Sequence, residues 1–417
     1  MTFIGAWGMR NLFYLLLVAV FSFNVMVRDV GAAGNLSNVI SDLYGGNGIL
    51  LSPMSAIHHQ AHFVATSITA LDNLNTVVTG ALGFTSFNST ATGVTFDLSQ
   101  GIPVATQESM GPLLSERATS LGKSKLDVGF SFSRVDFDSF EGIGLNNLAL
   151  DFHHIDCCTG DPVITSVGPD GKLTDFERDI VRVHIKLKLN EDVYSMYANY
   201  GLTKNLDVGI IVPIISVEAR AYAHAEVIEA VPGSDIHTFA GDPSAAIDST
   251  GGSKTGVGDV VLRAKYTFVS MKDLPSMAVL GQITTPTGDE KNLLGSGEAR
   301  FKGMFIASKR YNRITPHVNL AYEVTTGDSV QENLTYAVGA DARMTQTFTV
   351  AADILGRYNP HQHEISNHLV DFALAAKWNP FKQFNAPFNA YVILPLNKDD
   401  GLRADVIWGL GVDYSFK

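Results

Sequence analysis

The chain of 417 residues is 46% hydrophobic but only 17% charged, and it carries 38 glycines, 24 phenylalanines and 13 tyrosines. So much apolar and aromatic surface excludes a disordered chain, while the low charged fraction implies that much of the surface faces something other than water. A formal net charge of −12 excludes nucleic-acid binding through a broad basic face.

Met9-Arg10, the apolar run Asn11 to Val27 and the small residues Gly31, Ala32 and Ala33 read as an export signal over residues 1–33. An uncleaved membrane anchor is the alternative, because the run is long and ends in Arg28-Asp29. No other apolar run approaches the ~20 residues of a spanning helix, which excludes a polytopic helical membrane protein. Residues 34–90 are predicted as an N-terminal helical plug or periplasmic segment, since Leu36 to Leu43 and Ala56 to Leu82 have helix-compatible apolar spacing. A loosely held tail is the other reading. Here His58, His59 and His62 form HHQAH, and two of them would share a helical face as imidazole ligands do. The carboxylate of the HExxH hydrolase pattern is missing, so histidines lining a wet cavity are the plainer reading.

From about residue 120 the signal is alternation. Val181, Val183, Ile185, Leu187 and Leu189 alternate with Arg182, His184, Lys186 and Lys188, and the same period recurs around Leu262 to Phe268, Ile314 to Tyr322 and Ala404 to Phe416. Period 2 means strands with two unlike faces, as in a sandwich with an apolar inside or a membrane barrel with an apolar outside. Connections decide between them. Long loops (397–402, 357–367, 325–332, 286–298, 227–256, 158–178) alternate with tight turns (379–385, 343–345, 310–312, 270–275, 201–205, 139–143). Sorting of long and short connections to opposite ends is the organisation of an outer-membrane barrel. The expected fold is therefore all-β: a transmembrane antiparallel barrel over residues 91–417 of about fourteen strands, with twelve as the alternative, the first near Gly93 to Leu98. The ending Asp413-Tyr414-Ser415-Phe416-Lys417 resembles an aromatic-terminated last strand, which implies the barrel-assembly machinery as a partner beside outer-membrane lipid.

Centring the 201–205 turn on Thr203 pairs Leu189 with Val217 and Lys188 with Glu218. Nearer the turn both strands change phase, with Tyr194, Met196 and Ala198 outward opposite Val212, Ile210 and Val208, and a bulge is expected at Pro213. On this phase Val183, Ile185 and Leu187 face lipid. The lumen is expected to be lined by Arg182, His184, Lys186, Lys188, Glu218, Arg220, His224, Glu226, Arg263, Lys265, Arg300, Lys302, His317, Glu323, Arg403 and Asp405, whose mixed signs leave no buried charge unpaired. These are candidates both for the permeant path and for mere bracing of the wall.

No motif points to a cofactor, a metal or a catalytic set. Cys157 and Cys158 are adjacent, beside His153 and His154, and make a closed tetrahedral site awkward. GPDGKLTDFE (168–177) imitates half of a calcium loop but lacks acidic residues at Ser166 and Gly168. GDEKNLLGSGE (288–298) lacks the spacing of a phosphate loop.

YGLTKNLDVGIIVPI (200–214), GVGDVVLRAKYTF (256–268), TPTGDE (285–290) and PHVNLAYE (316–323) resemble the outer-membrane transporters grouped with the phenol-degradation meta-pathway proteins, over roughly residues 120–417. The general plan also resembles fatty-acid-channel-type barrels. The resemblance implies a channel passing small, aromatic or otherwise hydrophobic compounds across the bacterial outer membrane, and no enzyme. A surface receptor or adhesin barrel is the alternative function, and a barrel lipase or deacylase the third.

Overall fold

The computed structural model describes residues 35–44, 49, 51, 96–97, 104–105, 110, 113–153, 179–230, 232, 237–239, 245–270, 274–326, 332–360, 368–380 and 386–416. The export signal, the three histidines of HHQAH, the cysteine pair and the 168–177 loop lie outside them.

Among the described residues seventeen strands run in chain order: β1 (Phe96–Asp97), β2 (Val104–Ala105), β3 (Leu126–Phe140), β4 (Ile143–Gly144), β5 (Leu148–His153), β6 (Ile180–Gly201), β7 (Leu206–Ile228), β8 (Ala246–Val257), β9 (Val261–Val269), β10 (Ser276–Thr284), β11 (Arg300–Ser308), β12 (Ile314–Thr325), β13 (Glu332–Arg343), β14 (Phe348–Tyr358), β15 (His368–Trp378), β16 (Phe388–Pro395) and β17 (Leu402–Phe416). Antiparallel pairing runs from β3 to β6 and β7, then β9 through β17 in order, and β17 returns to pair with β3. This closes a ring of twelve strands, with β4, β5 and β8 attached outside it. Closure leaves no strand edge, which is what allows a sheet to stand in lipid.

Two of the fourteen expected strands are absent from the ring for stateable reasons. Among the described residues, 96–97 pair with 104–105 alone. The turn after β3 lies at the long-loop end, so 141–153 is an excursion there, and β5 reaches only the outer part of β6.

The faces follow from contacts across the barrel. In β6 and β7 the odd-numbered residues are inward without interruption: Val181, Val183, Ile185, Leu187 and Leu189 are buried, and so are Glu191, Val193, Ser195, Tyr197 and Asn199. Tyr197 bonds to Asp413 on β17, two strands away, which only an inward side chain can do. The β6–β7 ladder is continuous from Ile180↔Ile228 to Gly201↔Asp207. Lys188 is therefore opposite Arg220 and Leu189 opposite Ala219, two residues from the expected register, and no bulge interrupts this pair. The irregularity at Pro213 sits in the other ladder, where β7 changes partner from β9 (Ile211↔Val261) to β8 (Ile214↔Val257).

The apparent phase change is a change of solvent. β6 and β7 have 22 and 23 residues, about twice the ~9–11 needed to span a bilayer. Along one line of register the outward residues Phe132, Tyr194, Ile214 and Val257 are apolar, and on the next outward line stand Arg134, Asp192, Ser216 and Thr255. Lipid ends between those lines. Below them the outward set is apolar, including Met196, Ile210, Leu262, Phe305, Leu320 and Leu374, all exposed. Above them the outside is water, so the polar residues point outward. Val183, Ile185 and Leu187 thus pack inside, against Leu36, Ile40, Leu43, Ile49 and Leu51, rather than against lipid.

Those N-terminal residues include a single 3-10 turn (Leu36–Asn38) and sit at the long-loop end, where Tyr44 Oη donates to Ala246 O at 3.3 Å.

Candidate functional site

The candidate site is the barrel interior, and its lower half is organised by a segment outside the sheet. Met110 and residues 113–121 cross the lumen near the short-turn end as a strap outside the sheet. Lys377 Nζ donates to Met110 O (3.3 Å), Thr267 Oγ1 to Ala118 O (2.6 Å), and Leu121 N to Asp207 Oδ2 (3.0 Å), so the strap touches walls from β15 round to β7. Asn319 substitutes for a neighbouring strand: its Oδ1 accepts from Glu116 N (2.7 Å) and its Nδ2 donates to Glu116 O (2.9 Å). The segment then turns through Gly122, at φ +90°, to enter β3. There Gly201 passes so close that a Cβ would stand 1.9 Å from Gly122 O, and only glycine fits.

Ion pairs pin the strap. Arg117 pairs with Asp341, its Nε donating to Oδ1 at 3.0 Å. Glu116 accepts from Arg263 Nη2 (2.8 Å) and lies 3.6 Å from Lys265 Nζ, itself 3.9 Å from Asp207. Buried charges of this kind persist because each is paired and hydrogen-bonded. Ser115 Oγ donates to Asp353 Oδ1 at 2.8 Å, and His317 Nε2 lies 2.7 Å from Ser115 Oγ and 2.6 Å from Asp353 Oδ1. Ser115 and Asp353 share one ring nitrogen, and Asp341 Oδ1, on the Nδ1 side, is 3.9 Å away, too far for the hydrogen bond that a hydrolytic relay needs there. This cluster ties the strap to β12 and β14.

A second belt lines the long-loop half. The residues that meet the strap set the parity of each strand, and by that parity Arg300, Lys302, Glu323, Arg357 and Asp371 are inward. Lys302 Nζ is 2.9 Å from Glu323, and Arg403 reaches Asp371 and Val370 O.

Of the residues expected in the lumen, Arg263, Lys265, Arg300, Lys302, His317, Glu323 and Arg403 are inward and mostly buried. Arg182, His184, Lys186, Lys188, Glu218, Arg220, His224 and Glu226 are on the outer surface of the water-exposed extension, because beyond the bilayer the outer face meets water and the polar half of the same alternation turns outward. There Arg182 pairs with Asp151 (2.7 Å), His184 with Glu226 (3.2 Å), and Glu218 with both Lys188 (2.8 Å) and Arg220 (2.9 Å). Hydrogen bonding from Lys188 holds the Glu218 carboxyl below its ordinary range. Lys186, Lys188, Arg220 and Tyr222 border an outer groove of about 640 Å³. Asp405 is also outside: irregular pairing between Ala404 and Ile407 exposes it, and it pairs with Lys398 at 2.6 Å. Sequence reasoning missed the strap, whose signal was only the sequence Ser115-Glu116-Arg117 in a segment without alternation.

A search of the curated proteins found no match. Among solved structures the chain is similar to the COG4313 outer membrane channel from Pseudomonas putida F1, at 12% identity and TM-score 0.43, over 72% of this chain and 98% of that one. It is also similar to the Ralstonia pickettii toluene transporter TbuX, at 12% identity and TM-score 0.35, over 71% and 90%. A Pseudomonas aeruginosa FadL homologue gives 9% identity and TM-score 0.32, over 70% and 89%. The family profile described as "Putative MetA-pathway of phenol degradation" matches residues 181–417. With more than half of the chain matched, ten of the twelve ring strands wholly included, and an apolar belt around a closed antiparallel barrel, the chain is an outer-membrane β-barrel that belongs to this phenol-degradation MetA-pathway family.

Proposed function

We propose that the protein is a passive channel for uptake of small aromatic or otherwise hydrophobic compounds. The observation that carries this reading is a bilayer-spanning lumen whose long-loop half places an apolar wall beside a charged belt and whose short-turn half is crossed by a strap held through side chains. An inert wall would need neither an amphipathic interior nor a strap held apart from the sheet. The family's description supports an aromatic permeant. The permeant comes in at the long loops, meets the belt, and leaves past the strap into the periplasm. Membrane insertion proceeds through the barrel-assembly machinery, which reads the last strand. Single-channel recording of the refolded full chain tests this: steady conductance, reduced by added phenol, is expected. An electrically silent barrel that still folds would transfer support to a surface receptor.

A further inference from the structure

We infer that the long-loop half of the lumen is a binding site for amphipathic organic carboxylates, with an aromatic ring bearing one carboxylate as the simplest member. The inference rests on the channel reading above and names its permeant class. Four cationic side chains, Arg300, Lys302, Arg357 and Arg403, share one inward belt with the carboxylates Asp259, Glu323 and Asp371, while Glu191 is buried and inward on β6, beside Val135.

The carboxylates are already engaged. Asp259 accepts from Gly288 N (2.9 Å), Ser296 N (2.9 Å) and Ser296 Oγ (3.0 Å), so it organises the 288–296 loop and stands 3.9 Å from Arg300. Glu323 is paired with Lys302 and Asp371 with Arg403, while Arg357 lies in the field of Glu323, Asp371, Arg403 and Arg300. Arg403 is only 6% exposed, and its Nε has no acceptor among the described residues. A buried N–H without an acceptor is a standing attraction for one, and guanidinium forks match a carboxylate in plane and spacing.

The second requirement comes from the neighbouring wall. Leu402, Ile393 and Ile407 continue the apolar cluster that runs to Val183, Ile185 and the N-terminal residues, and Leu355 packs against it from the charged side. An inorganic anion would leave that surface unused. A neutral hydrocarbon would displace water from the guanidinium groups without replacing its hydrogen bonds, which is unfavourable. A carboxylate on an apolar body satisfies both surfaces. The short-turn half offers no equivalent, since Arg117, Arg263 and Lys377 there face Asp341, Glu116 and Asp413.

Isothermal titration of the refolded full chain in detergent, with sodium benzoate and with neutral benzamide, tests the site independently of conductance. Benzoate is expected to bind more tightly than benzamide, and Arg403→Gln and Arg357→Gln are each expected to weaken benzoate about tenfold, as loss of a charged hydrogen bond implies. Heat-modifiable migration checks the fold of each variant, and Lys302→Gln replaces either one that fails. Equal affinity for the two probes, or benzoate affinity unchanged in the folded variants, overturns the site. Retained benzoate binding in a barrel without conductance would instead overturn the channel reading and leave the site standing.

Discussion

Lys188 and Glu218 are joined by an ion pair although they are not directly opposite: Lys188 faces Arg220, and Glu218 sits diagonally between the two cations. A carboxylate placed there relieves the repulsion that like charges across a ladder would otherwise suffer. Cysteines at 188 and 220 are expected to crosslink in the folded barrel, whereas 188 paired with 219 is expected to fail, because those side chains leave opposite faces. Because the Glu218 pKa is lowered, its contribution is complete above the unfolded carboxylate value of about 4.3 and is lost as pH falls through the lower folded value. The pair is exposed to solvent, so comparing the unfolding of Glu218→Gln with the parent at pH 7 and pH 3 should reveal a difference of no more than about 1 kcal/mol, larger at pH 7 than at pH 3. Ile185, fully buried one position from exposed Lys186, is the stronger test of facing. Ile185→Ala is expected to cost about 2–5 kcal/mol in denaturant unfolding through the cavity it leaves, and Lys186→Ser about 0.5 kcal/mol or less. Equal effects would show that the inward face had been misassigned.

The two elements that distinguish this barrel are the β6–β7 hairpin, which rises beyond the lipid, and the strap. Both exist because the interior supplies partners. Outside the bilayer the hairpin has water on its outer face and the N-terminal residues on its inner one, so it is a sheet over a small soluble core, widened by β5 and β8. The strap has no ladder of its own and depends on side chains, chiefly Asn319, Asp341 and Asp207. Removing one partner of a buried ion pair costs about 3–5 kcal/mol, yet here the loss falls on the strap's attachment rather than on the closed ring. Asp341→Asn is therefore expected to preserve heat-modifiable migration while raising single-channel conductance and opening residues 113–121 to protease. A variant with unchanged conductance and protection would show that the pair does not hold the strap.

The assembled barrel reconciles a 17% charged composition with dense interior charge, because its bilayer face is apolar and the ion pairs are turned inward or raised above the lipid. Leu320, 48% exposed and midway along β12, marks that face. Leu320→Arg is expected to destabilise the folded barrel by about 2–4 kcal/mol in lipid vesicles if it lies near the midplane, and Thr335→Glu, which sets a carboxylate opposite Arg357 on the inner face of β13, is expected to cost less. Equivalent losses would contradict a lipid boundary drawn through Tyr194 and Ile214.

Strand identity in the membrane part was legible from sequence alone because period-2 alternation and loop sorting are local consequences of a wall with two unlike sides. Arg263, Lys265, His317 and Glu323 are the polar members of that pattern, and the first three meet the strap or its partners while Glu323 pairs with Lys302. The pattern reports polarity rather than direction, however. Along β6 the backbone keeps one phase while the surroundings change from lipid to water, so the same alternation of Val and Lys means opposite faces on the two sides of Asp192. Only the tertiary structure decides which, because it alone shows that Leu36, Ile40 and Leu43 share a buried cluster with the inner face at that level. Register was likewise beyond the local pattern: a shift of two residues leaves every face unchanged, and the distinction rests on the geometry of the 201–206 turn and on Glu218 bridging two cations. The strap was hidden for the same reason, since its residues have no periodicity and acquire a structure only from partners about 90 to 270 positions away, once the ring has closed around them.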